Sequence, residues 1–60
     1  MPNIKQYATD MILKYPTLKD MIIDLYELCM TEIEEGGSVE NEFSLFQRDV
    51  DELIEEMVKY

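Results

Sequence analysis

The segment LKDMIIDLYELCMTEI, residues 18–33, decides the fold of this chain, because its polar side chains follow a helical period. Steps of four and three place the polar positions on a single narrow stripe of an α-helix. These positions are Asp20, Asp24, Glu27, Thr31 and, one residue beyond the segment, Glu34. Apolar side chains cover the rest of the circumference, and a helix of this kind is normally surrounded by other segments. The sequence therefore predicts a central helix on which the remaining segments pack.

The length of 60 residues predicts one small domain with a marginal core. A chain of this size buries only about 60% of its unfolded surface, and it commonly needs a disulfide, a metal ion or a second subunit. A disulfide within the chain is excluded, since Cys29 is the only cysteine, and no histidine is present to join it in a zinc site. Self-association is the remaining route, so the sequence predicts a homodimer.

The chain is strongly acidic, with 14 acidic residues against 5 basic ones and a net charge of -9. Such a charge repels nucleic acid and anionic membranes and attracts a basic partner. The bases are scattered singly among acids, so no direct binding of nucleic acid is expected. The opening MPNIKQYATD lacks the apolar core of a signal peptide, and no apolar run approaches the roughly 20 residues of a membrane span. With a lone thiol, these features predict a cytoplasmic protein.

The first helix is predicted over residues 4–14. Asn3 is its N-cap with Gln6 three residues further on, as in a capping box, and Pro2 lies just outside. Pro16 ends the helix, because proline lacks an amide hydrogen and disfavours helical geometry at the residue before it. The apolar positions 4, 8, 11, 15, 18, 22, 25 and 29 nevertheless keep one seam across the proline. This seam leaves open a single long helix that is kinked at Pro16.

The second helix is predicted over residues 18–35, between a capping box and a glycine pair. Thr17 with Asp20 forms the capping box. Gly36 and Gly37 end the helix, because glycine adopts the left-handed conformation of a C-cap without a steric penalty.

The third helix is predicted over residues 39–59, with Ser38 as its cap. Its apolar stripe alternates steps of four and three through Val39, Phe43, Phe46, Val50, Leu53, Met57 and Tyr60. The short glycine link makes the second and third helices an antiparallel αα-hairpin. The predicted fold class is therefore all-α, a short N-terminal helix plus an antiparallel hairpin that packs as a homodimeric bundle.

The predicted core lies on the seams of the second and third helices and is shared with the second copy. It comprises Met21, Ile22, Leu25, Cys29, Val50, Leu53 and Met57. Cys29 is expected to pack as a small apolar side chain, since no base stands beside it to lower its pKa and make it a nucleophile.

The acidic helices predict a non-enzymatic interaction protein that binds a basic protein or mimics nucleic acid, with carboxylates in place of phosphates. The predicted contact residues are Asp24, Glu27, Glu34, Asp49, Glu52 and Glu56. Such binding should weaken steeply with salt. An alternative is a structural assembly element whose apolar stripe docks a partner helix.

A second alternative is an enzyme that uses Mg²⁺ at its glutamates. Glu32 and Glu35 form an E-x-x-E pair, which resembles the metal-binding pair of helical nucleotide pyrophosphohydrolases. Those enzymes carry an E-x-x-D pair on the next helix, whereas this chain offers Glu52 with Glu55. The acids around the glycine turn offer a looser divalent site. Because neither pattern is complete, no catalytic, metal-binding or cofactor-binding residue is predicted.

The sequences EIEEGGSVENE, residues 32–42, and DVDELIEE, residues 49–56, carry a family resemblance. They resemble short acidic helical proteins encoded by marine cyanobacteria and their phages. The resemblance implies a family with no assigned activity, so it transfers no functional residue. It favours a phage accessory protein that binds a factor of its host.

Overall fold

The computed structural model describes residues 3–59, and within that range the chain is helical with no strand. Three α-helices and one short 3-10 turn follow each other in this order: α1 Ile4–Lys14, the turn Pro16–Leu18, α2 Lys19–Glu34 and α3 Val39–Lys59. The prediction of an all-α chain with three helices is confirmed. Pro2 and Tyr60, which entered the predictions for the first and third helices, lie outside the described residues.

The first helix begins with the predicted cap. The Asn3 side-chain oxygen accepts a hydrogen bond from the Gln6 backbone N–H at 2.9 Å, so one amide left free by the helix start is satisfied. The returning bond of a capping box is not made by Gln6. Its side-chain amide donates instead to Asp10 Oδ1 at 2.9 Å, one turn further along α1.

Pro16 separates α1 from α2 completely. Tyr15 has φ −131° and ψ 69°, which is outside helical geometry, so the alternative of one long helix kinked at Pro16 is wrong. The capping box predicted at Thr17 is also wrong, because Thr17 lies inside the 3-10 turn and the cap position of α2 falls on Leu18 without a side-chain bond. The Thr17 hydroxyl donates to Met57 Sδ at 3.6 Å instead, which joins this turn to the end of α3.

The two glycines end α2 as predicted. Gly36 has φ 105°, the left-handed region that favours glycine. Its N–H donates to the Ile33 carbonyl at 3.1 Å and that of Gly37 to the Glu32 carbonyl at 2.9 Å, which is the Schellman pattern. A Cβ on Gly37 would stand 2.8 Å from the Glu32 carbonyl oxygen, so both positions need glycine. Ser38 Oγ then accepts the Asn41 N–H at 3.4 Å at the start of α3.

The core forms where α2 packs against both α1 and α3. Its buried residues are Ile4, Ala8, Leu18, Ile22, Cys29, Phe46 and Val50. Phe46 is 2% exposed and meets two tyrosine rings edge to face, Tyr7 of α1 at 5.6 Å and Tyr26 of α2 at 6.3 Å between centroids. Aromatic contacts of this geometry add to the stabilisation from apolar burial, so Phe46 links all three helices.

Two residues of the predicted core lie on the surface of the single chain. Met21 is 53% exposed and Met57 36% exposed. Met21 is therefore mostly uncovered on α2, and Met57 lies near the end of α3 beside the 3-10 turn. Ile22, Cys29 and Val50 of the same predicted set are buried, and Leu25 and Leu53 are half-buried. Phe46 was missing from the set, because its central position depends on α1, which the set did not include.

The molecule measures 37 × 18 × 17 Å. The longest helix, α3, has 21 residues and spans roughly 31 Å at about 1.5 Å per residue. None of the helices within residues 3–59 combines the length and the apolar character needed to cross a membrane.

Candidate docking groove

A surface groove runs between α2 and α3. It consists of two adjoining cavities of about 200 Å³ and about 390 Å³, which share Leu25 and Asp49. Every residue that lines these two cavities belongs to α2 or α3, and none belongs to α1. We call this feature the α2–α3 groove.

The floor of the α2–α3 groove is apolar. It is lined by Leu25, Leu28, Cys29, Leu45, Phe46 and Leu53. Leu28 of α2 is 56% exposed and Leu45 of α3 is 43% exposed, so the two leucines leave much of their apolar surface in water. Within the single chain, α2 is therefore covered over only part of its circumference. α1 and α3 cover two sides of α2, and the side that carries Met21 and Leu28 is left open.

The charged side chains of the α2–α3 groove are all acidic. They are Glu32, Glu42, Asp49, Glu52, Glu55 and Glu56, and no lysine or arginine lines either cavity. The two cavities beside α1 differ, because Lys5 lines both of them. It is the only charged residue in the lining of one cavity, and in the other it is accompanied by Glu27. Carboxylates around a low-dielectric apolar floor concentrate negative potential in the groove.

Cys29 lies in the floor of the groove, 6% exposed. Burial raises the pKa of its thiol above the ordinary value of 9.0, and the nearby Glu42 carboxylate raises it further. Both effects disfavour the thiolate, which is the form that attacks electrophiles and binds metals. The thiol therefore packs as a small apolar group, in agreement with the sequence prediction.

The structure divides the six predicted acidic contact residues. Asp49, Glu52 and Glu56 of α3 line the α2–α3 groove together. Glu27 lines the cavity between α1 and α2, and Asp24 and Glu34 lie exposed on α2 without lining any of the cavities described here. The α3 half of the set is thus gathered at one site, and the α2 half follows the outer stripe of its helix.

The predicted core and contact sets omitted six residues that line the groove: Leu28, Glu32, Glu42, Leu45, Phe46 and Glu55. On each helix they stand three, four or seven residues from a predicted site residue, as Leu28 does from Leu25 and Glu42 does from Asp49. That spacing places them on the same helix face. Choosing this face required knowing which side of α2 is left open by α1.

Within residues 3–59, no group of three or more acidic, histidine or cysteine side chains is arranged to hold a metal ion. The carboxylates of Glu32 and Glu35, and those around the glycine turn, are not gathered into such a group. What the groove offers chemically is an apolar surface flanked by fixed negative charge. Comparison with known proteins finds no family model, no curated protein and no solved structure that matches the chain.

Proposed function

We propose that this protein is a non-enzymatic interaction protein that binds a basic segment of another protein in the α2–α3 groove. The observation that carries the proposal is the lining of the groove, in which every charged side chain is acidic and two leucines are exposed. Negative potential of this kind speeds association with a basic partner and disfavours acidic ones.

The proposal includes the arrangement of α2 and α3 as an antiparallel αα-hairpin. One cavity combines Glu32, late in α2, with Glu42, early in α3, and the other combines Leu25 with Glu56. This order of neighbours, together with the tight turn at Gly36, is what an antiparallel pair would produce. The groove then runs along the hairpin.

The predicted homodimer stays a prediction, and the groove is an unfavourable place for its interface. Ile22 and Val50, two residues of the predicted shared core, are fully buried within one chain, so they are not available to a second. Two copies joined through the groove would bring two acidic linings together, and like charges that lose water are costly. Sedimentation equilibrium on the full chain measures the mass directly.

The proposed function is tested with a flexible cationic probe, a peptide of about 16 alternating lysine and serine residues. Its affinity for the protein is measured by calorimetry at about 0.05 M and about 0.5 M NaCl, where screening lengths differ severalfold. Two double variants each remove two negative charges. Glu42→Gln with Asp49→Asn changes the groove, and Asp24→Asn with Glu34→Gln changes exposed positions outside it.

We expect the probe to bind less tightly at high salt, and the groove variant to lose about tenfold in affinity. The matched outside variant should lose clearly less, because it leaves the groove lining intact. If the two variants lose affinity equally, the probe responds to net charge alone and the groove is not the site. Absence of binding at low salt would refute the proposal altogether.

A further inference from the structure

We propose that the segment held in the α2–α3 groove is a basic amphipathic α-helix of another protein, about four turns long. This inference rests on the function proposed above and adds the conformation of the partner and the apolar contacts that hold it. Leu28 and Leu45 would receive one apolar face of that helix, and the surrounding carboxylates would receive lysine or arginine on its flanks.

The exposure of the two leucines supports an apolar contact in addition to a charged one. Leu28 of α2 and Leu45 of α3 line the same cavity, and both leave a large part of their side chains in water. The half-buried Leu25 and the buried Cys29 line the same cavity and extend its apolar floor. An apolar patch rimmed by polar groups is typical of a binding surface, and purely ionic binding would leave this one unsatisfied.

The length of the groove fits a helix of moderate size. Its lining on α3 extends from Glu42 to Glu56, which are separated by 14 steps of about 1.5 Å, or roughly 21 Å. A partner helix that covers this distance has about four turns and offers apolar anchors with spacings of three, four and seven residues. A third helix laid against an open pair of helices is also an ordinary packing arrangement.

Charge complementarity selects the partner. Six carboxylates line the groove and no basic side chain does. Binding of any partner removes water from these carboxylates, which is costly unless the partner supplies lysine or arginine to pair with them. A second copy of this chain, with a net charge of -9, would bring more negative charge. The groove is therefore assigned to a basic helix of a different protein.

The experiment compares two peptides of about 16 residues with identical leucine and lysine content. One places leucines at steps of three and four, so that they share a helix face; the other has the same residues in a scrambled order. Three single variants of the protein are titrated with both peptides. Leu28→Gln and Leu45→Gln remove apolar contacts in the groove, and Leu13→Gln, at a 75% exposed site on α1, is the matched control.

We expect the amphipathic peptide to bind about tenfold tighter than the scrambled one and to gain helical circular dichroism on binding. Leu28→Gln and Leu45→Gln should each remove most of this advantage, while Leu13→Gln should keep it. Thermal melts check that each of the three variants is folded. We expect all three to fold, because the substituted leucines are exposed.

Equal affinity for both peptides, or full affinity after Leu28→Gln and Leu45→Gln, would overturn the helical partner. The function proposed above would survive that result if the groove carboxylate variants still weakened binding of the lysine–serine probe. Loss of both effects would end both proposals. A dimer that neither peptide dissociates and that the same two leucine variants break would assign the groove to a second copy instead.

Discussion

Cys29 occupies a position where burial and a neighbouring carboxylate act in the same direction. Both raise the pKa of the thiol above its ordinary value of 9.0. The thiol of the folded chain therefore holds its proton more tightly than the thiol of the unfolded chain does. The stabilisation is fully present well below the ordinary pKa of 9.0 and is lost as the pH rises through the folded pKa. Stability should therefore fall on the alkaline side.

We expect the melting temperature to be level from about pH 7 to about pH 8.5 and to decline above it, with a shallower decline in Cys29→Ala. The slopes are compared rather than the absolute values, since the variant also loses packing. Tyr7, whose pKa is raised by burial and by Asp51, contributes a further decline at higher pH in both proteins. Parallel slopes up to about pH 9.5 would show that the thiol makes no contribution.

Predictability at the scale of single residues depended on how local the interaction is. The Asn3 cap needs only its own backbone and that of Gln6, so the spacing alone predicted it. The cap at Thr17 failed although its spacing was equally good. Pro16 started a 3-10 turn at that point, and the Thr17 hydroxyl found a partner 40 residues away in Met57. No short pattern in the sequence carries that contact.

At the scale of elements, the turn between α2 and α3 depends on the backbone of Gly36. Replacement by alanine places a Cβ at φ 105°, which costs roughly 1–2 kcal/mol. Alanine also reduces the conformational entropy of the unfolded chain, which stabilises the folded state by about 0.4–1 kcal/mol. Because this gain is smaller than the cost, the net effect is destabilising. A net loss of about 1 kcal/mol corresponds to a fall of about 4–8 °C in the melting temperature of a domain of this size.

Ser44→Ala is the matched control, because Ser44 is exposed within α3 and alanine suits a helix at least as well. Its melting temperature should equal that of the parent or rise slightly. If Gly36→Ala leaves the stability unchanged, the left-handed conformation at residue 36 does not require glycine.

The order of the helices was predictable because Pro16 ends the first helix and Gly36 ends the second. The observed helix ends agree with the predicted ones to within one residue. What the periodicity of α2 could not provide was its surroundings. Apolar positions around most of a helix indicate contact on most sides, but they do not say whether the partner belongs to the same chain. One side of α2 remained open at Met21 and Leu28.

At the scale of the whole molecule, charge repulsion opposes the compact state. A net charge of -9 is held within dimensions of 37 × 18 × 17 Å. Salt screens charges that are separated by more than about 10 Å at 0.1 M. We expect the melting temperature at pH 7 to rise as NaCl is increased from about 0.02 M to about 0.5 M.

The control for this salt effect is the same series at a pH close to the isoelectric point of about 4.1, where the net charge approaches zero. The rise should be much smaller there. An equal rise at both pH values would point to a general salt effect on apolar burial rather than to relief of repulsion.

The groove itself belongs to this largest scale, and for that reason the sequence predicted only part of it. Asp49, Glu52 and Glu56 were chosen from one helix and came together. Their neighbours Leu25 and Leu28 lie on another helix, more than 20 positions earlier. Pairing the two sets requires the packing of α1, α2 and α3, which the side-chain period of a single helix does not contain.

The solitary thiol in the floor of the groove also provides a chemical clock. The chain contains no tryptophan, so its intrinsic fluorescence carries little local information. An alkylating reagent reaches the 6% exposed Cys29 sulfur mainly when the helices around it separate for a moment. The ratio of the alkylation rate to that of an unfolded peptide gives the fraction of time spent open. A molecule bound in the groove above the sulfur would slow the alkylation. The alkylation rate of Cys29 therefore reports whether the groove is occupied, without any added label.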